Sequence, residues 1–145
     1  MIMRLLFLSV CLALPLTLSA SAASESEKNC GDLHFQADMN DCFGRQWDRA
    51  DAKLNKVYSA VIAKLSNDPG AIAALRTSER SWLKFRDDNC GFESYGVVGG
   101  SMHPMALSIC LASTTEARIK ELEYQLHCDG SDTSCISPSI SKSNR

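Results

Sequence analysis

Two cysteines, Cys90 and Cys110, bracket the sharpest change of character in this chain, and their placement limits the folds open to it. Leu75 to Cys90 reads LRTSERSWLKFRDDNC, a stretch with strong helical periodicity. Between the two cysteines come Gly96, Gly99 and Gly100, then Ser101 and the pair His103-Pro104. Helical spacing resumes beyond them. The pattern predicts two helices joined by a glycine-rich loop whose ends are tied by a Cys90–Cys110 disulfide. The rest of the chain is expected to pack against that unit.

Whether the thiols are oxidised depends on the compartment, and the start of the chain addresses that. Met1 to Arg4 is a short positive segment, Leu5 to Leu18 is apolar, and Ala20-Ser21-Ala22 offers small residues for cleavage. Residues 1–22 therefore read as a signal peptide, with a retained anchor as the alternative. The apolar run is too short for a stable membrane span. Leu8-Ser9-Val10-Cys11 resembles a lipidation site superficially, but Val10 is large for that cleavage and the apolar run continues past Cys11. Secretion follows, and with it an oxidising compartment. Removing Cys11 leaves Cys30, Cys42, Cys90, Cys110, Cys128 and Cys135, an even set that reads as a disulfide framework in an exported chain. Chain proximity favours Cys30–Cys42, Cys90–Cys110 and Cys128–Cys135. Zinc is the rival reading, but there is no CxxC or HExxH, so no metal and no cofactor is expected. Without Arg4 the chain keeps 14 basic and 17 acidic side chains, a net charge of −3. That balance argues against nucleic acid, whose recognition requires a basic face.

Three amphipathic helices account for the mature chain. Met39, Phe43, Trp47, Ala50, Leu54, Val57, Val61 and Leu65 recur at steps of three and four, and Tyr58 and Ile62 widen the stripe. Gly44 inside it costs about 1 kcal/mol relative to Ala, which suggests a bend or a late start near Arg45. Asp68 can cap the next helix and Pro69 suits its first position. So short a break implies an antiparallel hairpin. The second stripe is Ile72, Leu75, Glu79, Trp82, Arg86 and Cys90, with Leu83 and Phe85 beside it. Two charges thus fall in an apolar seam and require partners, with Asp51, Asn55 and Glu116 as candidates. A polar network of Asp51, Asn55, Glu79 and Arg86 that fixes helix register outweighs a ligand site here. Tyr95 to Val98 is compatible with a short extended piece. Ser101 or His103 is expected to cap the third helix, whose stripe is Met105, Ile109, Ala112, Thr115, Ile119, Leu122 and Leu126. The fold class is all-α: a disulfide-braced three-helix bundle spanning residues 23–128, with a helical hairpin, a glycine-rich loop and a third helix. Residues 129–145, rich in serine, read as a mobile tail pinched by Cys128–Cys135.

Enzyme signatures are nearly absent. Nucleophilic catalysis needs a nucleophile, a base and a group that orients the base, and Ser101 with His103 lacks a placed acid. Asp87 and Asp88 point in different directions on a helix, and no phosphate loop or dinucleotide fingerprint occurs. Recognition suits the loop better. Backbone N–H groups at Gly99 and Gly100 could hold an anion, Ser101 adds a hydroxyl and His103 a switchable charge. A plain helix connection is the competing reading. Gly99, Gly100, Ser101, His103 and Pro104 are therefore the candidate partner-binding residues.

The ordered residues also match a known pattern. Cys30 to Cys42 contains Met39-Asn40, and Ala50 to Tyr58 reads ADAKLNKVY. Leu75-Arg76, then Arg80 to Asp87 as RSWLKFRD, and Cys90 follow. Gly99-Gly100-Ser101, Met105, Cys110-Leu111, Thr115, Arg118 and Leu122 complete it. This set resembles the LprI-type family, the domain of unknown function 1311, over about Cys30 to Leu126. The resemblance implies a small exported bacterial helical protein, and the family name implies inhibition of lysozyme. Members often carry Thr where Phe35 stands, as a cap for the first helix; Phe35 cannot cap, so a start near Asp38 is expected. The expected function is binding to a protein, most simply occlusion of a muramidase cleft. A scaffold or immunity-like module for another envelope protein is the alternative, and a small hydrolase using a Ser–His pair is the third reading.

Overall fold

Three long helices carry almost all of the described residues. The structure, a computed structural model, describes residues 29–129 and 131–136. Residues 1–28, which include the stretch read as a signal peptide, residue 130 and residues 137–145 lie outside them. Helix α1 spans Gln36–Lys64, α2 Pro69–Glu93 and α3 His103–His127, with short 3₁₀ turns at Cys30–Asp32 and Tyr95–Val97. The Tyr95–Val97 turn replaces the extended piece that the sequence allowed. None of the described residues forms a strand, and none of their helices is long and apolar enough to cross a membrane.

Helix α1 begins at Gln36 and not near Asp38 or Arg45. Phe35 occupies the N-cap position and no side chain caps the helix. What holds this end is covalent: Cys30 in the preceding turn is bonded to Cys42 in the second turn of α1. Gly44 lies inside the uninterrupted helix, and an added methyl there would meet nothing within 4 Å. At the start of α2, Asp68 accepts from the Ala71 amide at 2.9 Å while Pro69 takes the first turn. Helix α3 starts differently from expectation. Met102 sits at the N-cap with no side-chain bond, so neither Ser101 nor His103 caps it. Its other end is better served, because Lys64 Nζ donates to the carbonyls of Gln125 (2.8 Å) and Cys128 (2.9 Å), a cation at the negative end of the helix.

The helices run up, down and up. Gln36 and Asn40 meet residues at the start of α3 while Lys64 meets its end, so α1 and α3 are parallel and α2 runs against both. The closest pair is α1 with α3, not the consecutive α1 with α2. Small buried residues, Ala50 on α1 and Ser108, Ala112 and Thr115 on α3, suit that close approach, since interaxial distance follows side-chain size. Leu54, Val61, Leu65, Leu75, Ile119 and Leu122 form the main core, with Trp82, Tyr58 and Ile72 packed on it. A second cluster, Cys90, Cys110 and Leu111 with Trp47 and Leu107, lies toward the loop. The Cys90–Cys110 bridge is thus both a tether and core material. Ile109, expected in the α3 stripe, is exposed; Ser108 and Leu111 join the buried face, which otherwise keeps Ala112, Thr115, Ile119 and Leu122 as expected.

Candidate functional site

The loop between α2 and α3 is built from local turns held at both ends. Ser94 closes α2, is buried, and donates its hydroxyl to the Cys90 carbonyl at 2.8 Å. Successive turns follow: Val97 N–H to Ser94, Val98 N–H to Tyr95, Gly100 N–H to Val97 and His103 N–H to Gly100. Gly99 has φ +81°, and it alone among the described residues lies in that region, where glycine is needed. Gly100 approaches the Val97 carbonyl so closely that an added Cβ would stand 3.2 Å from it. These internal bonds consume the Gly100 and His103 amides, so those two groups do not form the anion cradle that the glycines suggested.

Helix α1 braces the same loop from the side. Asn40 Nδ2 donates to the Ser101 carbonyl at 3.0 Å, and Gln36 Nε2 donates to Asn40 Oδ1 at 3.0 Å and sits 3.6 Å from Met105 Sδ. Gly99, Gly100, Ser101 and Pro104 remain exposed, with His103 half-buried. His103 Nε2 lies 3.4 Å from Ser94 Oγ, a partner absent from the sequence reading, and Ser101 is not that partner. No ion pair joins His103 to a carboxylate among the described residues. The Ser94 hydroxyl is buried and committed to a carbonyl, so this contact is a structural tie and not a nucleophile–base pair.

Around the loop stands a feature that periodicity alone did not reveal. Phe92 is 80% exposed, Tyr95 75% and Phe35 73%, and Val98 and Met102 are also exposed. The signal was present: Phe92 and Tyr95 fall off the α2 stripe at its end, and Phe35 precedes the α1 stripe.

The four polar residues read as one network fall into two groups, Asp51, Asn55 and Arg86 in one and Glu79 with Arg118 in the other. Arg86 Nη1 reaches Asp51 at 3.1 Å and Thr115 Oγ1 at 3.4 Å, and its Nε reaches Asp87 at 2.9 Å. Asn55 donates to Asp51 at 3.1 Å. Glu79 binds neither Asp51 nor Asn55; Arg118 holds its Oε2 through Nε (3.1 Å) and Nη2 (2.9 Å). Glu116, the other candidate, lies on the exposed side of α3. Arg118 follows Thr115 by three and precedes Leu122 by four, which is the spacing that could have identified it. Trp82 joins the halves, with the guanidinium carbons of Arg86 and Arg118 at 5.4 and 5.8 Å from its ring centre. Burial disfavours the Arg118 cation, but hydrogen bonds to Glu121 and Glu79 outweigh it and raise its pKa above the ordinary value. These bonds tie all three helices to one another.

Cysteine chemistry is settled by pairing, since all six described sulfurs are in bridges: Cys30–Cys42, Cys90–Cys110 and Cys128–Cys135. No group of His, Cys, Asp and Glu suited to a metal occurs among the described residues. Residues 131–136, tied to the end of α3 by Cys128–Cys135, fold back on that helix. Tyr124 donates to Asp132, Gln125 Nε2 donates to the Ser134 carbonyl at 2.8 Å, and the Ile136 amide donates to Gln125 Oε1 at 2.8 Å.

Residues 26–122 match the family described as Lysozyme inhibitor LprI. An uncharacterized protein of Rhizobium meliloti (strain 1021) is 36% identical over 125 residues, covering 77% of this chain and 90% of the relative. No solved structure was found to match. The matched residues take in Cys30, Cys42, the Asp51–Arg86 and Glu79–Arg118 pairs, the Cys90–Cys110 bridge and the whole loop. On this footing the chain belongs to the LprI family, small exported bacterial proteins of protein-binding and non-catalytic character.

Proposed function

We propose that this protein, carried to the periplasm by a Sec-type signal, inhibits a lysozyme-like hydrolase by lodging the Gly99–Pro104 loop in the enzyme's sugar-binding cleft. The observation that carries this reading is the loop's construction. It is exposed at one end of the bundle, yet tied by the Cys90–Cys110 bridge, by internal turns and by Asn40. A loop already ordered loses little conformational entropy on binding, which is how a small protein inhibitor gains affinity. Muramidases cut between paired carboxylates in an open cleft, a shape that a convex braced loop can fill. The family description supports the partner class.

The test is inhibition of cell-wall lysis by several purified lysozymes. Saturable inhibition is expected, weakened by Ser101→Ala with His103→Ala. Full lysis at excess protein refutes the muramidase reading. Unchanged inhibition by the double variant refutes the placement of those two residues. Stable capture of a different envelope protein, with lysozymes untouched, would instead establish a scaffold or immunity-like module.

A further inference from the structure

The same end of the molecule carries a surface wider than the loop. Five large apolar side chains, Phe35, Phe92, Tyr95, Val98 and Met102, stand exposed there. Large apolar side chains gathered at one end of a small protein gain free energy when a partner covers them, which makes such an end a candidate interaction site. The charges around them are one-signed. Residues 29–44, at the start of α1, hold Asp32, Asp38 and Asp41 and neither Lys nor Arg. Residues 89–115, through the loop and the first half of α3, hold Glu93 and again neither Lys nor Arg. All four carboxylate residues are exposed. The segments belong to one surface, because Asn40 bonds Ser101 and Gln36 contacts Met105. Elsewhere acids and bases alternate, as in the Lys53–Glu123 and Lys84–Asp88 pairs.

We infer that this end is a protein-binding surface in which Phe92 and Tyr95, with Phe35, Val98 and Met102, enter an apolar depression on a cationic partner, while Asp32, Asp38, Asp41 and Glu93 face the partner's basic rim. A second copy of this chain is the wrong occupant, since it would set four carboxylates against four. The division of labour follows from physics. Buried aromatics supply most of the affinity of such interfaces, and rim charges set the encounter rate. Two braces hold the surface still, Cys30–Cys42 behind Phe35 and Cys90–Cys110 behind the loop. The inference rests on the proposal above for the partner being a muramidase, but not for its being cationic.

Binding kinetics with the immobilised, oxidised protein test it, using two soluble probes: a basic lysozyme with an open sugar cleft, and cytochrome c, equally basic but without one. Lysozyme is expected to bind saturably. Phe92→Ala and Tyr95→Ala should each weaken it roughly thirtyfold, mostly through faster dissociation. Asp38→Asn with Asp41→Asn should slow association several-fold at low salt and leave dissociation unchanged. These side chains are exposed, so truncation leaves the fold intact, which circular dichroism checks. Lysozyme binding that survives loss of both aromatics overturns the surface while leaving the muramidase reading in place. Equal binding of cytochrome c, with the same losses in the variants, upholds the surface and ends the muramidase reading. Absence of saturable binding by either probe overturns the inference.

Discussion

Removing Arg118 should damage this protein more than removing Glu79, although the two are bonded to each other. The side chains are 13% and 11% exposed, so both charges depend on protein partners. Arg118→Ala takes both donors from Glu79 Oε2, and Oε1 has no donor among the described residues. A buried carboxylate is left stranded, a situation that costs about 3–5 kcal/mol. The loss of one of two cations beside Trp82 adds to that. Glu79→Ala leaves Arg118 with Glu121 at 2.8 Å and Ser78 at 3.3 Å, both at the surface. Its cost should be lower, about 1.5–3 kcal/mol, the range for hydrogen bonds to charged groups, because the cation left behind keeps surface partners. The double variant removes both charges and should cost clearly less than the two single losses added, a coupling of about 2 kcal/mol. Urea unfolding at neutral pH, followed by circular dichroism with disulfides intact, measures all three. An Arg118→Ala cost below about 1 kcal/mol, a larger cost for Glu79→Ala, or strict additivity would refute the reasoning.

Further outcomes follow from other parts of the fold. Gly44→Ala, inside α1, and Gly91→Ala, in the last turn of α2, each place a new methyl that meets nothing within 4 Å and should stabilise by about 0.5–1 kcal/mol in the same unfolding assay, Gly91→Ala by the lower figure. Asp68→Ala removes the α2 cap and should cost about 1 kcal/mol, whereas Asp68→Asn should retain most of it. Replacing Cys90 and Cys110 together with Ala opens a loop with a sequence separation of 20 and should cost about 3 kcal/mol, read as a lower urea midpoint. Docking of the Cys128–Cys135 ring should depend on pH at both ends. The backbone amide of Ser134 and the Tyr124 hydroxyl lower the Asp132 pKa, so its contribution is present above the ordinary 3.8 and is lost as pH falls through the depressed value. Asp132 raises the Tyr124 pKa, so that contribution is present below 10.0 and is lost as pH rises through the raised value. Tyrosine fluorescence and amide NMR of residues 131–136 against pH should show a plateau between those limits; a transition at neutral pH would contradict it.

Much of this architecture is legible in the residues because local signals agree with one another. Asp68-Pro69 marks the start of α2, and the sulfur pairs closest in sequence are those that bond. The start of α1 was harder to read because Phe35 has no capping group and the compensating restraint, Cys30–Cys42, is tertiary. The partner of Glu79 is only partly legible: Arg118 falls at the edge of the α3 stripe, between Thr115 and Leu122, where a cation reads as a surface side chain until a buried acid faces it. Helix order in space was hidden for a related reason: small residues at Ala50, Ala112 and Thr115, and not chain adjacency, decide that α1 lies closest to α3. The glycines and His103 drew attention to the loop, yet the larger exposed features beside it are Phe92 and Tyr95. Their signal is weak because they fall off the α2 stripe at its very end, where too few turns remain for periodicity to mark them as outward-facing.

Amide hydrogen exchange of the oxidised protein, free and with a saturating basic lysozyme, maps the proposed contact directly. Slowed exchange confined to residues 35–41 and 92–104, with the middle of α2 and α3 unchanged, is the expected result. Protection centred on another face, or none at saturation, would contradict the assignment of this braced end as the part of the molecule that meets its partner.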